Sequence, residues 1–159
     1  MSGDILIGEH VRTLDGRFRL SLPPEFVSTL AAGGSGLVLA KERPGCLSLW
    51  PASTWKPRLD AAIAVLRSKL GAGVWSTHTT GLQELGRLLS TRHHPVRLAG
   101  RVRLVIPEGF RGFLGVAAGG DLLVVGAAVC VELWQPEAFA GFIAAEMPRF
   151  GPRLEELIG

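Results

Sequence analysis

Four arginines are suited by type and spacing to anion recognition: Arg17 and Arg19 near the start of the chain, Arg101 and Arg103 beyond its middle. One residue separates the members of each pair, and on a strand such residues share a face. A guanidinium offers a rigid fork of donors that matches a phosphate or a guanine edge. The two pairs are copies of one another. LDGRFRLSLPPEF at 14–26 returns as LAGRVRLVIPEGF at 98–110, a spacing of 84 residues, with Leu14, Gly16, Arg17, Arg19, Leu20, Pro23 and Phe26 recurring unchanged. The same spacing sets Leu30 on Leu114, Cys46 on Cys130 and Leu49-Trp50 on Leu133-Trp134. If the copies pair about a pseudo-twofold axis, four guanidinium groups converge on one surface suited to the phosphates and grooves of duplex DNA. A solvated strand face with each Arg paired to an acid is the plainer alternative, and duplication of the pattern weighs against it.

Asp15 stands two and four residues ahead of Arg17 and Arg19. It can hold one of them through a bidentate pair, or serve only as a turn former. The second copy has Ala99 there, so any such clamp belongs to one half alone.

Catalytic signals are poor. His93-His94 has no third ligand nearby and reads as an exposed loop pair rather than a metal site. Gly34-Ser35-Gly36 and Gly71-Ala72-Gly73 lack the Lys-Ser/Thr of a phosphate loop and read as turns. No elbow motif places a serine nucleophile. The expectation is a protein without catalytic residues, metal or cofactor. Trp50, Trp55 and Trp134 offer base-stacking surfaces, but Trp50 and Trp134 close apolar strands at equivalent sites, which favours burial.

Composition bounds the elements that must carry these residues. A chain of 159 residues, 47% hydrophobic, fits one domain with a real core. Two halves of roughly 50 residues are marginal alone, so a shared core is expected. The net charge is only +3, yet all but three of the 17 basic residues are Arg. From Arg87 to Arg111 there are six Arg and one acid, Glu108. No run approaches the ~18 apolar residues of a membrane span, and the start of the chain, with Asp4 and Glu9, lacks the basic region of a secretory signal. A cytosolic chain is expected, with Cys46 and Cys130 as core residues rather than a disulfide.

Phe18 to Leu22 alternates with period two, and so does Val102 to Ile106; Pro23 and Pro107 end both strands. Residues 24–32 and 108–116 read as short helices with Phe26/Leu30 and Phe110/Leu114 inward, ended by Gly33-Gly34 and Gly119-Gly120. Strands at 37–41 and 46–50, and at 122–125 and 129–134, form hairpins turning at Arg43-Pro44-Gly45 and Gly126-Ala127-Ala128. Longer helices follow at 52–70 and 136–147, and another over 82–89 joins the halves. Phe139, Phe142 and Ile143 are expected to leave apolar surface uncovered, hence a homo-oligomer.

The order Leu-Asp-x-x-x-Arg-Leu-Ser-Leu-Pro, a Phe-bearing helix, Leu-Val-Leu and Gly-Cys-Leu-x-Leu-Trp-Pro resembles the MraZ family of bacterial division and cell-wall cluster regulators. Gly-Arg-Val-Arg-Leu-Val-Ile-Pro and Val-Glu-Leu-Trp resemble its other half, and the likeness covers about residues 9–143. The resemblance implies a mainly β fold with short helices, a tandem AbrB-type swapped-hairpin β-barrel that forms an internal pseudo-dimer. Its repeats would span 9–56 and 93–143, with a helical connector at 57–92 and a C-terminal tail at 144–159. It further implies a transcriptional regulator that binds double-stranded DNA at upstream repeats, assembles into rings, and works in the cytoplasm at the nucleoid, with no membrane or small-molecule substrate. Arg17, Arg19, Arg101 and Arg103 are the implied DNA contacts, with Asp15 beside them. The family motif in each half is Asp-x-x-Gly-Arg. Here Phe18 replaces its Gly in the first copy, and only Arg103 survives in the second, beside Ala99 and Val102. A Gly there serves a bulge or a left-handed turn, so target sequence and DNA binding itself turn on the shape of this loop. The alternative is an oligomeric interaction protein of the same fold that has lost operator binding.

Overall fold

The computed structural model describes residues 4–34, 36–71 and 75–159, the side chains of 75–79 excepted. The first half runs β1 (Leu6–Thr13), β2 (Arg19–Ser21), α1 (Pro24–Leu30), β3 (Leu37–Arg43), β4 (Cys46–Pro51) and α2 (Ala52–Gly71). After α3 (Trp75–Thr91) the same order returns as β5 (His93–Val96), β6 (Arg103–Val105), α4 (Glu108–Leu114), β7 (Asp121–Ala128), β8 (Val131–Trp134) and α5 (Pro136–Glu146). A 3-10 turn at Met147–Arg149 and α6 (Phe150–Ile158) follow. Of the two expected glycine turns, residues 35, 72 and 73 lie outside the described residues.

Six strands form one antiparallel sheet in the order β1-β7-β8-β4-β3-β5, and β2 pairs with β6 in a separate ribbon. Exchanging the halves turns β1 into β5, β7 into β3 and β8 into β4, so the order reads the same from either edge. The first strand of each half lies on the hairpin of the other: β1 on β7, from Leu6↔Ala128 to Thr13↔Asp121, and β5 on β3, from Leu37↔Val96 to Ala40↔His93. At the centre β4 meets β8, with Ser48 directly opposite its own copy, Glu132. The expected barrel does not close. Pro23 and Pro107, which lack the N–H a ladder needs, follow within two residues of β2 and β6, and those short strands pair only with each other. β1 and β5 are left as the edges of the larger sheet.

One core serves both halves, as the marginal size of each requires. Leu14, Leu20, Leu22, Phe26 and Leu30 from the first copy are buried in the same cluster as Leu104, Ile106, Phe110 and Leu114 from the second. The short helices begin behind Pro23 and Pro107, and α4 ends where Gly115 turns left-handed at φ 74°. Both stop short of the lengths expected from glycine spacing.

Three expectations are corrected. The second hairpin turns after Ala128 rather than at Gly126, because β7 keeps pairing with β1 through Gly126, Ala127 and Ala128. Gly126 is needed inside that ladder, since a Cβ there would lie 2.5 Å from the Leu6 carbonyl carbon. His93-His94 is strand, not loop, recruited by β3. Phe139 and Phe142 are partly covered by Trp134, with ring centroids 5.4 and 5.1 Å away, whereas the exposed apolar side chains near the end of the chain are Met147, Phe150, Leu154, Leu157 and Ile158. Among the described residues, no helix is long and apolar enough to cross a membrane.

Candidate nucleic-acid interface

The β2–β6 ribbon presents the arginines. Leu20 and Leu104, repeat equivalents, face each other across it and are buried, so the pseudo-twofold passes between them. Two matching bonds extend the ribbon, Leu22 N–H to the Val102 carbonyl at 2.8 Å and Ile106 N–H to the Phe18 carbonyl at 2.9 Å. Side chains alternate along a strand, which sends Arg19, Ser21, Arg103 and Val105 to the opposite face. Arg19 pairs with Val105 and Arg103 with Ser21, making the two arginines diagonal neighbours, a relation that sets Cβ atoms about 7–8 Å apart. Thr13, Asp15, Arg19, Ser21 and Arg103 border one shallow hollow of about 200 Å³.

The turns leading into the ribbon solve one problem in two ways. In the first copy the Asp15 carboxylate accepts three bonds: Oδ1 from the backbone N–H groups of Arg17 (2.8 Å) and Arg19 (2.9 Å), Oδ2 from Arg19 Nε (2.7 Å). Asp15 is therefore both the turn former and the clamp, though it grips Arg19 through one guanidinium nitrogen and not the bidentate fork. The Arg19 backbone N–H, followed by that of Arg17 and the Arg19 side chain, holds the Asp15 carboxyl below the usual carboxylate range. In the second copy no carboxylate is available, and Arg103 N–H bonds instead to the Ala99 backbone carbonyl at 3.0 Å, with Ala99 N–H returning to Arg103 O at 2.8 Å.

Left-handed backbone is distributed accordingly. Phe18 stands where the family motif has Gly and takes that conformation, at φ 58°. Its ring packs against the core beneath the Arg111 guanidinium, 4.3 Å from the ring centroid, while Arg111 Nε donates to the Ile106 carbonyl at 2.9 Å. In the second copy the left-handed residues are Gly100 (φ 55°) and Arg101 (φ 84°), leaving Val102 free of that strain.

Of the arginines singled out in the sequence, Arg19 and Arg103 share the ribbon face, but Arg17 and Arg101 do not. Both strands begin one residue later than the alternation from Phe18 and Val102 implies, so Arg17 and Arg101 sit exposed in the turns. Sequence reasoning missed Arg12. It lies on β1, and its Nε donates to the Ser21 carbonyl at 2.9 Å, which ties that edge strand to the ribbon. No motif signals it, because the equivalent position in the second copy is Val96. The basic run from Arg87 to Arg111 also divides: Arg111 and Arg92 cap aromatic rings of the fold, whereas Arg97, Arg101 and Arg103 are exposed.

The remaining candidates are structural. Trp50 and Trp134 are buried, and their indoles donate to Ser48 Oγ (2.8 Å) and Glu132 Oε1 (3.0 Å). Cys46 and Cys130 are free, buried thiols. His93 packs against Trp55 with the rings tilted and their centroids 5.9 Å apart, and burial, then Arg92 and His94, lowers its pKa. Among the described residues, no group of three His, Cys, Asp or Glu side chains is placed to hold a metal.

No protein-family model matches the chain. Curated relatives do. It is 26% identical over 157 residues to a protein of Thermomicrobium roseum named transcriptional regulator MraZ, covering 97% of this chain and all of that protein. The MraZ regulator of Deinococcus radiodurans is 28% identical over 87% of each chain, and that of Thermus thermophilus 26% identical over 82% of this chain and 81% of its own.

Proposed function

The chain belongs to the MraZ family, and on that premise we propose that it is a sequence-specific, double-stranded DNA-binding transcriptional regulator. Its targets are repeats upstream of a division and cell-wall gene cluster. Arg19 and Arg103 reach base edges, Arg17 and Arg101 meet phosphates from the turns, and Asp15 fixes the first guanidinium. The crossing of each first strand onto the other half's hairpin is read as the swapped-hairpin pseudo-dimer. The regulator works in the cytoplasm at the nucleoid, without cofactor or catalysis, as a ring-like homo-oligomer whose contacts draw on exposed Ile7, Val11, Phe150 and Leu157.

The observation that carries this reading is the diagonal placement of Arg19 and Arg103 on one ribbon face, with Arg17 and Arg101 exposed in the turns that lead into it. The ribbon and its cations suit a groove flanked by phosphates. Phe18 adopts a left-handed conformation, the region a glycine enters without strain, which supports retention of the first loop's shape and favours DNA binding over an interaction protein that has lost it.

Gel-shift titration on the DNA upstream of its own gene cluster, at several salt concentrations, tests the assignment. Arg19→Ala and Arg103→Ala are each expected to cost about 1–3 kcal/mol and relax specificity at one base, the loss being larger for Arg19. Arg17→Ala and Arg101→Ala weaken all sequences alike and flatten the log K against log salt slope by about 0.9 per contact. A double Arg19→Ala/Arg103→Ala variant that binds as tightly as the unmodified protein transfers the assignment to the interaction-protein reading.

A further inference from the structure

A cleft of about 620 Å³ lies away from the arginine ribbon, between the first turns of α2 and the edge of the sheet formed by β3 and β5. Its walls are apolar: Leu37 and Val38 from β3, Leu59 and Trp55 from α2, Pro95 and Val96 from β5. Its cations are Lys56 and Arg97, both exposed, against one acid, Asp60. His93, whose pKa is lowered, adds an imidazole to the lining without adding charge at neutral pH.

Trp55 marks this wall as unusual. It is the only buried residue of α2, 6% exposed, and its equivalent, with Pro51 set on Pro136 by one residue inserted after the Trp of the second half, is Ala140. Arg58, Arg92, His93 and Trp50 surround its ring. Its indole N–H nonetheless has no acceptor among the described residues, whereas the other two buried indoles are both bonded. Buried donors are ordinarily satisfied, so this orphan within the wall sets the Trp55 side of the cleft apart from the other two indoles.

We propose that this cleft binds a small organic carboxylate with an apolar or aromatic body, one per chain. The volume suits a small molecule, the apolar walls cover its body, and Lys56 and Arg97 hold its carboxylate by charge-assisted bonds at the mouth. The site stands whether or not the ribbon binds DNA. It is nonetheless adjacent in chain to the second turn, since the chain leaves β5 through Arg97 and reaches the Ala99–Arg103 bridge.

Isothermal titration of the full chain with 2-naphthoate, and with 2-naphthamide as the neutral isostere, tests this. Saturable binding of one 2-naphthoate per chain is expected, with the amide at least about tenfold weaker. Lys56→Ala/Arg97→Ala changes only exposed side chains and should weaken 2-naphthoate about tenfold or more while leaving the circular dichroism spectrum unchanged. Leu59→Trp, which fills the cleft, should abolish binding. Absence of saturable binding to the unmodified protein, equal affinity for acid and amide, or affinity that survives both variants would overturn the proposal.

Discussion

Replacing Phe18 by alanine and by glycine separates two opposed effects at one position. Phe18 holds φ 58°, where a residue bearing a Cβ is disfavoured by about 1–2 kcal/mol. Its ring is half-buried against the core and stacks beneath the Arg111 guanidinium. Full burial of such a ring contributes about 1.5–3 kcal/mol, and half-burial about half of that; the cation–π contact adds about 0.5–1 kcal/mol. Both variants lose the ring, so both are less stable than the parent. They differ only in the backbone. Alanine keeps the left-handed strain, and glycine removes it. Elsewhere glycine costs about 0.5–1 kcal/mol relative to alanine, but here the sign inverts, with Phe18→Gly more stable than Phe18→Ala by about 1 kcal/mol. For a chain of this length that is a Tm difference of about 2–4 °C. Thermal unfolding, checked by urea midpoints at constant m value, measures it. A Phe18→Ala protein as stable as Phe18→Gly would refute the left-handed assignment, and with it the account of how a phenylalanine replaces the motif glycine.

Gly126→Ala forces a Cβ onto the Leu6–Ile7 backbone of β1 and is expected to cost about 3 kcal/mol, with the loss of protection in hydrogen exchange concentrated in β1 and β7. Burial, partly offset by the Trp134 bond, holds the Glu132 pKa above its ordinary 4.5. The folded state therefore binds the extra proton between the two pKa values. That contribution is fully present below about pH 4.5 and is lost as pH rises through the folded value. Glu132→Gln, which keeps an acceptor for the indole, should raise Tm at pH 7 and do so progressively less toward pH 4. Burial pushes the Cys130 thiol up to about 12 and raises Cys46 as well, so a thiol reagent at pH 8 should label neither cysteine in the folded protein and both in denaturant.

The internal copy was legible because it constrains pairs of positions. Leu20 with Leu104 and Ser48 with Glu132 are equivalents at the repeat spacing, and each pair meets across a ladder. The inward faces of the short helices followed from Phe26/Leu30 and Phe110/Leu114, all buried. What the pattern did not reveal depends on partners distant in sequence. His93-His94 has no strand periodicity of its own and becomes strand only because β3 offers an edge. Gly126 looks like a turn residue to a local reading, yet its missing Cβ is used by β1, more than a hundred residues earlier. The Asp15 clamp was visible in outline as a carboxylate four residues before an arginine. The transfer of left-handed backbone to Phe18, and to Gly100 with Arg101 in the other copy, was not, since it is decided by which acceptor the turn can supply.

The inequality of the two turns gives the molecule a front and a back. Two identical chains meeting at a twofold axis present the same face in either orientation along a duplex, and such a pair cannot tell upstream from downstream. Here the axis between Leu20 and Leu104 relates a turn locked by a carboxylate to one closed only by its own backbone. Covalent fusion of the copies allows that difference to be inherited. A DNA site read by this ribbon would have one half-site matched strictly and the other tolerantly, and successive sites on one strand would be occupied in a common direction.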